Sequence, residues 1–204
     1  GKDAEALEHV RDVRREVAVV NGFINDFLEY ARPRPPHTED CDLVAVIESA
    51  AKVAISARQR RRWSVKRTGL KQLTLRSDAG QIRQVLLNLL RNAREASPKG
   101  GVIEVGLERD GRWARVRVRD QGHGLPEGNP EAIFKPFVSS KPMGTGLGLS
   151  IAQKLAEGLG GHIDAQAAPG KGSIFTLSLP WRDGITDKRA LGVAESSERP
   201  WHAS

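Results

Sequence analysis

Ala6, Val10, Val13, Val17, Val20, Ile24, Phe27 and Ala31 recur at alternating steps of four and three through residues 3–31, a stretch without proline and with Gly22 as its single glycine. Sustained over this length, that spacing predicts one long helix with a heptad seam, the pattern of a coiled coil or bundle rather than of an ordinary surface helix. A polar helix cannot bury such a stripe alone, and no second seam follows in the sequence. The expected partner is therefore another copy of the chain or a segment outside it. The stretch "ARPRPPHTEDC" then stops the helix, because three prolines within four residues cannot continue it. A boundary is expected here, giving a helical segment over 1–32, a proline-rich linker over 33–41, a folded domain over 42–181 and a polar, irregular tail over 182–204.

Composition narrows the class. The 204 residues suffice for one well-buried domain plus an extension, and 39% hydrophobic with 28% charged residues is an ordinary globular balance. No apolar run approaches spanning length, and the first residues, "GKDAEALEHV", lack the apolar centre of a signal peptide, so no membrane contact by this segment is expected. The single cysteine, Cys41, excludes an internal disulfide framework and suits a reducing, cytoplasmic compartment. A net charge of +7 would admit an anionic partner. Its sharpest cluster, Arg58 to Trp63, reads as a solvated helix end, and with no accompanying nucleic-acid motif no nucleic-acid partner is expected.

Within the domain, a helix is expected from about Asp42 to Arg58, with Asp42 as N-cap and Leu43, Val46, Ile47, Ala50, Val53 and Ala54 on one face. "WSVKRT" and "LTLRS" read as short strands and are followed by a helix from about Ala79 to Ser97. "VIEVGLER" and "WARVRVRD" form a hairpin around Asp110-Gly111, and "HIDAQAA" and "SIFTLSLP" form another around Pro169-Gly170. Hairpins interleaved with helices predict an α+β fold, a two-layer sandwich rather than a doubly wound parallel sheet.

Four features carry chemistry. The helix "QIRQVLLNLLRNAREA" places Asn88 and Asn92 four residues apart, on one face at the edge of an apolar stripe, where two amides suggest oxygen ligands for a hard cation rather than solvent-facing polar residues. "DQGHG" sets Asp120 at a strand end, where a carboxylate can accept a hydrogen bond from an exocyclic amine and Gly122 and Gly124 leave room for a flat ring. "IFKPFVSSK" presents Phe134 and Phe137 across a proline and ends on Lys141, which could reach a phosphate. "GTGLGLS" puts Gly144, Gly146 and Gly148 directly before a helix, whose N-terminus attracts anions. Each alone also fits an ordinary turn or surface.

In this order they resemble the N, G1, F and G2 boxes of the nucleotide-binding domain of sensor histidine kinases, within the Bergerat-fold group that includes gyrase, chaperone and mismatch-repair ATPases. "GGHIDAQAAPGKGSIFTLSLP" resembles the last box. The resemblance covers about Asp42 to Pro180, and "NDFLEYARPRP" is similar to the end of the second dimerisation helix in such kinases. It implies a mixed, mostly antiparallel sheet covered by helices, and a site for ATP and Mg²⁺. Asn92, with Asn88, would hold the metal. Asp120 would read the adenine amine, with Gly122 and Gly124 shaping the pocket and Ser173 near the base. Lys141 and the backbone of Gly144, Thr145, Gly146, Leu147, Gly148 and Leu149 would cradle the phosphates, while Phe134 and Phe137 anchor a lid spanning roughly Pro126 to Gly144. Phosphoryl transfer to a histidine and signalling to a response regulator follow from the same resemblance, as does a homodimer built on the seam.

At position 88 the hydrolysing relatives carry a glutamate that activates water. Asn88 is a poor base, which favours transfer to a protein acceptor over rapid hydrolysis. The phosphoacceptor motif of the family, like H-E-x-x-x-P-L, is absent, and His9 in "EHVRDV" lacks its neighbours; no phosphoacceptor is expected in this chain. A fragment carrying the catalytic half, without the first dimerisation helix, is the simplest expectation. The alternatives are a Bergerat ATPase that hydrolyses ATP to drive a conformational change, and a non-catalytic module that only senses nucleotide. A serine-kinase anti-sigma factor shares the fold but fits the proline linker and heptad helix poorly.

Overall fold

The computed structural model describes residues 2–55, 63–126, 129–138 and 145–181. The expected long helix is present as α1 (Lys2–Ala31). It stops two residues before Pro33, as the missing N–H and fixed φ of the prolines require. Beyond it lie β1 (Glu39–Asp42), α2 (Leu43–Ala54), β2 (Ser64–Gly69), β3 (Thr74–Ser77) and α3 (Ala79–Ala96). These are followed by β4 (Val102–Asp110), β5 (Trp113–Arg119), α4 (Gly148–Gly158), β6 (His162–Ala167) and β7 (Ser173–Pro180). A 3-10 turn over Pro130–Phe134 interrupts the loop between β5 and α4.

Five strands form one sheet in the order β2-β4-β5-β7-β6. Only β2 and β4 run parallel; the other three pairings are antiparallel, including both expected hairpins. This is the mixed, mostly antiparallel sheet of the expected α+β sandwich. Alternation along β5 explains the two layers. Ala114, Val116 and Val118 are buried with Ile103, Val105 and Leu107 of β4 and Phe175, Leu177 and Leu179 of β7. The three helices supply the opposite side of that core, Leu43 and Ile47 from α2, Ile82, Leu86, Leu89 and Leu90 from α3, and Ile151 and Leu155 from α4. On the outer face Arg115, Arg117 and Arg119 pair with Asp110, Glu108 and Glu104 at 2.7, 2.8 and 3.7 Å, so much of the basic character of this strand is matched by carboxylates across the sheet.

Three details depart from the sequence expectations. The stretch read as linker ends in a strand, β1, which pairs antiparallel with β3 in a separate two-stranded sheet. Its sequence, "EDCD", hides the strand because only Cys41 turns inward. Burial, with the neighbouring carboxylates of Glu39, Asp42, Asp40 and Asp78, pushes the Cys41 thiol up to about 11. Val53, expected on the buried face of α2, is exposed, and Val44 is buried instead. Finally, α2 ends at Ala54 with Ile55 as C-cap. Residues 56–58 of the expected helix, the basic run through Arg62, and the expected tail over 182–204 lie outside the described residues.

Asp78 ties the linker to the domain. Its buried Oδ1 accepts from the Gln81 N–H at 2.9 Å, capping α3, and from the Arg34 guanidinium at 3.0 Å. Its Oδ2 accepts from the His37 N–H at 2.8 Å. The Gln81 side chain returns a bond to the Arg34 carbonyl at 2.8 Å. Burial works against the Asp78 charge, but the Gln81 and His37 donors and the Arg34 guanidinium outweigh it and hold the carboxyl below its usual value. A depressed carboxyl stabilises the fold above its unfolded pKa and loses that contribution as pH falls through the folded pKa. Asp78→Ala should therefore lower the unfolding free energy by roughly 2 kcal/mol at pH 7, with the difference from the native chain shrinking below about pH 4. Urea denaturation at pH 7 and pH 3 checks this; equal midpoints at pH 7 would contradict it.

Candidate active site

The end of β5, the end of α3 and the start of β7 meet at Asp120 and Gly122, and the candidate site is built outward from that corner. Asp120 follows the last residue of β5 and is 1% exposed. Its Oδ1 accepts from the Gly122 N–H at 2.8 Å and the Ser173 N–H at 3.1 Å, while its backbone N–H donates to the Ser173 carbonyl at 3.0 Å. Its Oδ2 is buried and has no hydrogen-bond partner. A buried carboxylate oxygen without a donor is costly, so this atom is suited to a donor supplied by a ligand. Ser173, expected near the base, contacts the very carboxylate expected to read that base, and does so through its backbone.

Two glycines make this clamp possible. Gly172 has φ +96°, and a Cβ there would lie 2.1 Å from the Asp120 carbonyl oxygen, so only glycine lets the β6–β7 turn reach Asp120. At Gly122 the structure adds a reason for glycine beyond the expected room for a ring: a Cβ on it would sit 2.6 Å from the Ala96 carbonyl at the end of α3. Its bareness thus admits close packing of the loop against α3. Gln121 fixes the same corner, donating from its N–H to Ser97 Oγ at 3.3 Å and accepting from Val102 N–H at 3.0 Å.

Asn88 and Asn92 are both half-buried on α3, between the buried Val85, Leu86, Leu89, Leu90 and Ala93. The Asn88 Nδ2 is likewise buried without a partner. A pair of amides is a donor set that suits Mg²⁺, which takes oxygen ligands and is commonly held together with substrate phosphates.

Thr145, Gly146 and Leu147 lead into α4, whose N-cap, Leu147, provides no side-chain cap. The Thr145 Oγ1 accepts from the Leu147 N–H at 3.3 Å. Gly148 and Leu149 form the first helical residues, and among the described residues nothing lies within 4 Å of the position a Gly148 Cβ would take; a helix N-terminus attracts anions. Phe134 is buried, with its ring edge-on to Phe175 at 6.4 Å. Phe137, expected to anchor beside it, is instead exposed and holds φ +64°. It is attached through its backbone, donating to the Gly146 carbonyl at 3.1 Å. Gly124 adjoins the Gly172 carbonyl, 3.6 Å from where its Cβ would be. Lys141 and Gly144, with the rest of the expected lid over 139–144 and at 127–128, lie outside the described residues.

Comparison with known proteins gives the family of the chain. Residues 77–183, just over half of the chain, match the family described as histidine kinase-, DNA gyrase B- and HSP90-like ATPase, and the chain belongs to that family. It is 38% identical over 181 residues to the sensor histidine kinase ZraS of Klebsiella oxytoca, a match that covers 87% of this chain and 39% of that protein; the chain thus spans well under half the length of this relative. The catalytic domain of the histidine kinase ThkA aligns with a TM-score of 0.63 and 31% identity, covering 71% of this chain and 96% of that one. ThkA solved in complex with the response regulator protein TrrA aligns with a TM-score of 0.70 and 26% identity, covering 85% of this chain and 51% of that one.

The sequence points to Asp120, Asn88 and Asn92 through their positions at a strand end and on a helix face. It does not reveal that Gly172 and the Ser173 backbone hold the carboxylate. The signal available is "PGKGS", two glycines flanking one residue in a hairpin turn, which marks a tight turn without saying what it touches. Gly170 and Gly172 separate conformational strain from close approach, since both have positive φ but a Cβ at Gly170 would meet nothing within 4 Å. Gly172→Ala should destabilise the chain by about 1–3 kcal/mol more than Gly170→Ala. Urea midpoints of the two variants measure the difference, and equal midpoints would remove the close approach as its cause.

Proposed function

We propose that this chain is the Mg·ATP-binding catalytic module of a two-component sensor histidine kinase, passing the γ-phosphoryl group to a histidine supplied by a segment outside this sequence. The observation that carries the proposal is the unpartnered, buried Oδ2 of Asp120, held in place by two backbone N–H groups. An adenine exocyclic amine would supply the missing donor. Gly122 and Gly124 would border the base, with Ser173 orienting Asp120. Asn92, with Asn88, would hold Mg²⁺, which when bound neutralises charge on the phosphates. The backbone from Thr145 to Leu149 would receive the phosphates at the start of α4, with Lys141 and Gly144 completing the set on the strength of the sequence.

Catalysis of this kind rests on positioning and charge neutralisation more than on covalent chemistry by the protein. Asn88 offers an amide where a carboxylate would be needed to activate water, so transfer to a protein acceptor is favoured over hydrolysis. Self-association is part of the same reading. The seam residues Val10, Val13, Val17, Val20, Ile24 and Phe27 are 45–60% exposed on α1, and pairing with a second copy would cover them. The ThkA complex supports a response regulator as the downstream partner. The nucleotide requirement and the lone buried Cys41 favour a cytoplasmic setting, and no helix among the described residues is long and apolar enough to cross a membrane.

Radiolabelled ATP, incubated with the chain and a separately supplied acceptor helix bearing a histidine, should label that helix in a Mg²⁺-dependent reaction. Asn92→Ala should slow the labelling by about 100-fold or more while leaving the fold intact by circular dichroism. Failure to label the helix, together with no Mg²⁺-dependent binding of an ATP analogue, would overturn the proposal; rapid phosphate release without an acceptor would favour an ATPase.

A further inference from the structure

Helix α1 has two faces. One is the exposed seam; the other carries Asp26, Glu29 and Tyr30, which are half-buried against the domain. The Lys154 ammonium of α4 lies 3.7 Å from the Tyr30 ring centroid and donates to the Tyr30 carbonyl at 3.0 Å. Gln84 of α3 donates to Glu29 at 3.1 Å. Asp26 reaches the glycine loop itself, its Oδ2 accepting from the Thr145 hydroxyl at 3.4 Å. The same hydroxyl oxygen accepts from the Leu147 N–H, so one side chain joins a carboxylate of α1 to the start of α4. A negative group is thereby placed beside the helix end to which the proposed function assigns the phosphates.

We propose that Asp26 is a nucleotide-sensitive latch: its contact with Thr145 docks α1 on the domain, and docked Asp26 and the phosphates of a bound nucleotide oppose each other. The proposal rests on the Mg·ATP reading of the site. Several features favour a contact that opens. At 3.4 Å the bond is long for a hydroxyl and a carboxylate, which normally approach to about 2.5–3.0 Å. Burial raises the Asp26 carboxyl above its usual value, against the Thr145 bond and the Arg91 charge of α3. Glu29, one turn along α1, is raised by burial and by Asp26 itself. Phosphate charge arriving at α4 would add to the repulsion among these acids. The Arg34–Asp78 clamp lies beyond the end of α1, so the chain stays attached through it when the helix lifts. By linkage, whatever nucleotide does to docking, docking does to nucleotide affinity in equal measure.

Calorimetry of the full chain with Mg·AMP-PNP tests this. Asp26→Asn removes the charge while keeping an amide able to bond Thr145, and should tighten binding about fivefold or more. Glu16→Gln, a charge removal at an exposed position elsewhere on α1, should leave the affinity within about twofold. In the native chain, Mg·AMP-PNP should also speed amide hydrogen exchange in residues 24–31. Affinity unchanged in Asp26→Asn, equal tightening in both variants, or exchange that nucleotide does not alter would each overturn the latch. Asp120→Asn separates this outcome from failure of the underlying reading. If native binding depends on Asp120 but not on Asp26, only the latch fails; if the native chain does not bind the nucleotide, both fail.

Discussion

The carboxylate of Asp120 joins the end of β5 to the start of β7 and, through Gly122, to the end of α3. Its Oδ1 is shared by the Gly122 and Ser173 N–H groups, and its backbone N–H is held by the Ser173 carbonyl. These bonds leave Oδ2 buried and unpaired, a local penalty that a well-packed fold can carry and a ligand can relieve. The close approach of Gly172 and Gly122 is what brings the three elements near enough to make the arrangement. The hydrogen bonds that fix the carboxylate therefore also decide which of its oxygens is left without a partner.

Around that centre the helical layer divides its work. The inward stripe of α3 packs on the sheet while Asn88 and Asn92 stay at its margin, four residues apart. Helix α4 buries Ile151 and Leu155 while its N-cap residue, Leu147, supplies no side-chain cap, so the element that seals the core also presents a positive helix end. Helix α1 lies against this layer through one face and keeps its apolar seam exposed on the other. An exposed apolar seam and a face packed on the domain thus coexist on a single helix.

Much of the fold is legible in the sequence because burial imposes period and turns impose residue type. The alternation of Ala114, Val116 and Val118 with Arg115, Arg117 and Arg119 marks β5, and Asp110-Gly111 marks its turn. The strand Glu39–Asp42 is not legible, since only Cys41 faces inward and three acids mask the period. Asp78 stands before α3 in a position typical of an N-cap, yet its bonds to Arg34 and His37 join residues more than 40 positions apart, and no local pattern encodes them. The same limit applies to the site. Asp120 and the two asparagines announce themselves by local context, whereas the Ser173 clamp and the Asp26–Thr145 contact arise only when distant segments pack together. Phe134 and Phe137 show the intermediate case: the pattern singles out both aromatics, but the packing buries one ring and exposes the other.

The most direct measurement is the affinity of the chain for ADP against that for inosine diphosphate, both with Mg²⁺, by calorimetry. The two differ at the base, where inosine lacks the exocyclic amine that the proposed function assigns to Asp120 Oδ2. With that oxygen otherwise unpaired, ADP should bind at least about tenfold more tightly, a preference of about 1.4 kcal/mol or more. Equal affinities would contradict the assignment of Asp120 as the adenine-reading group.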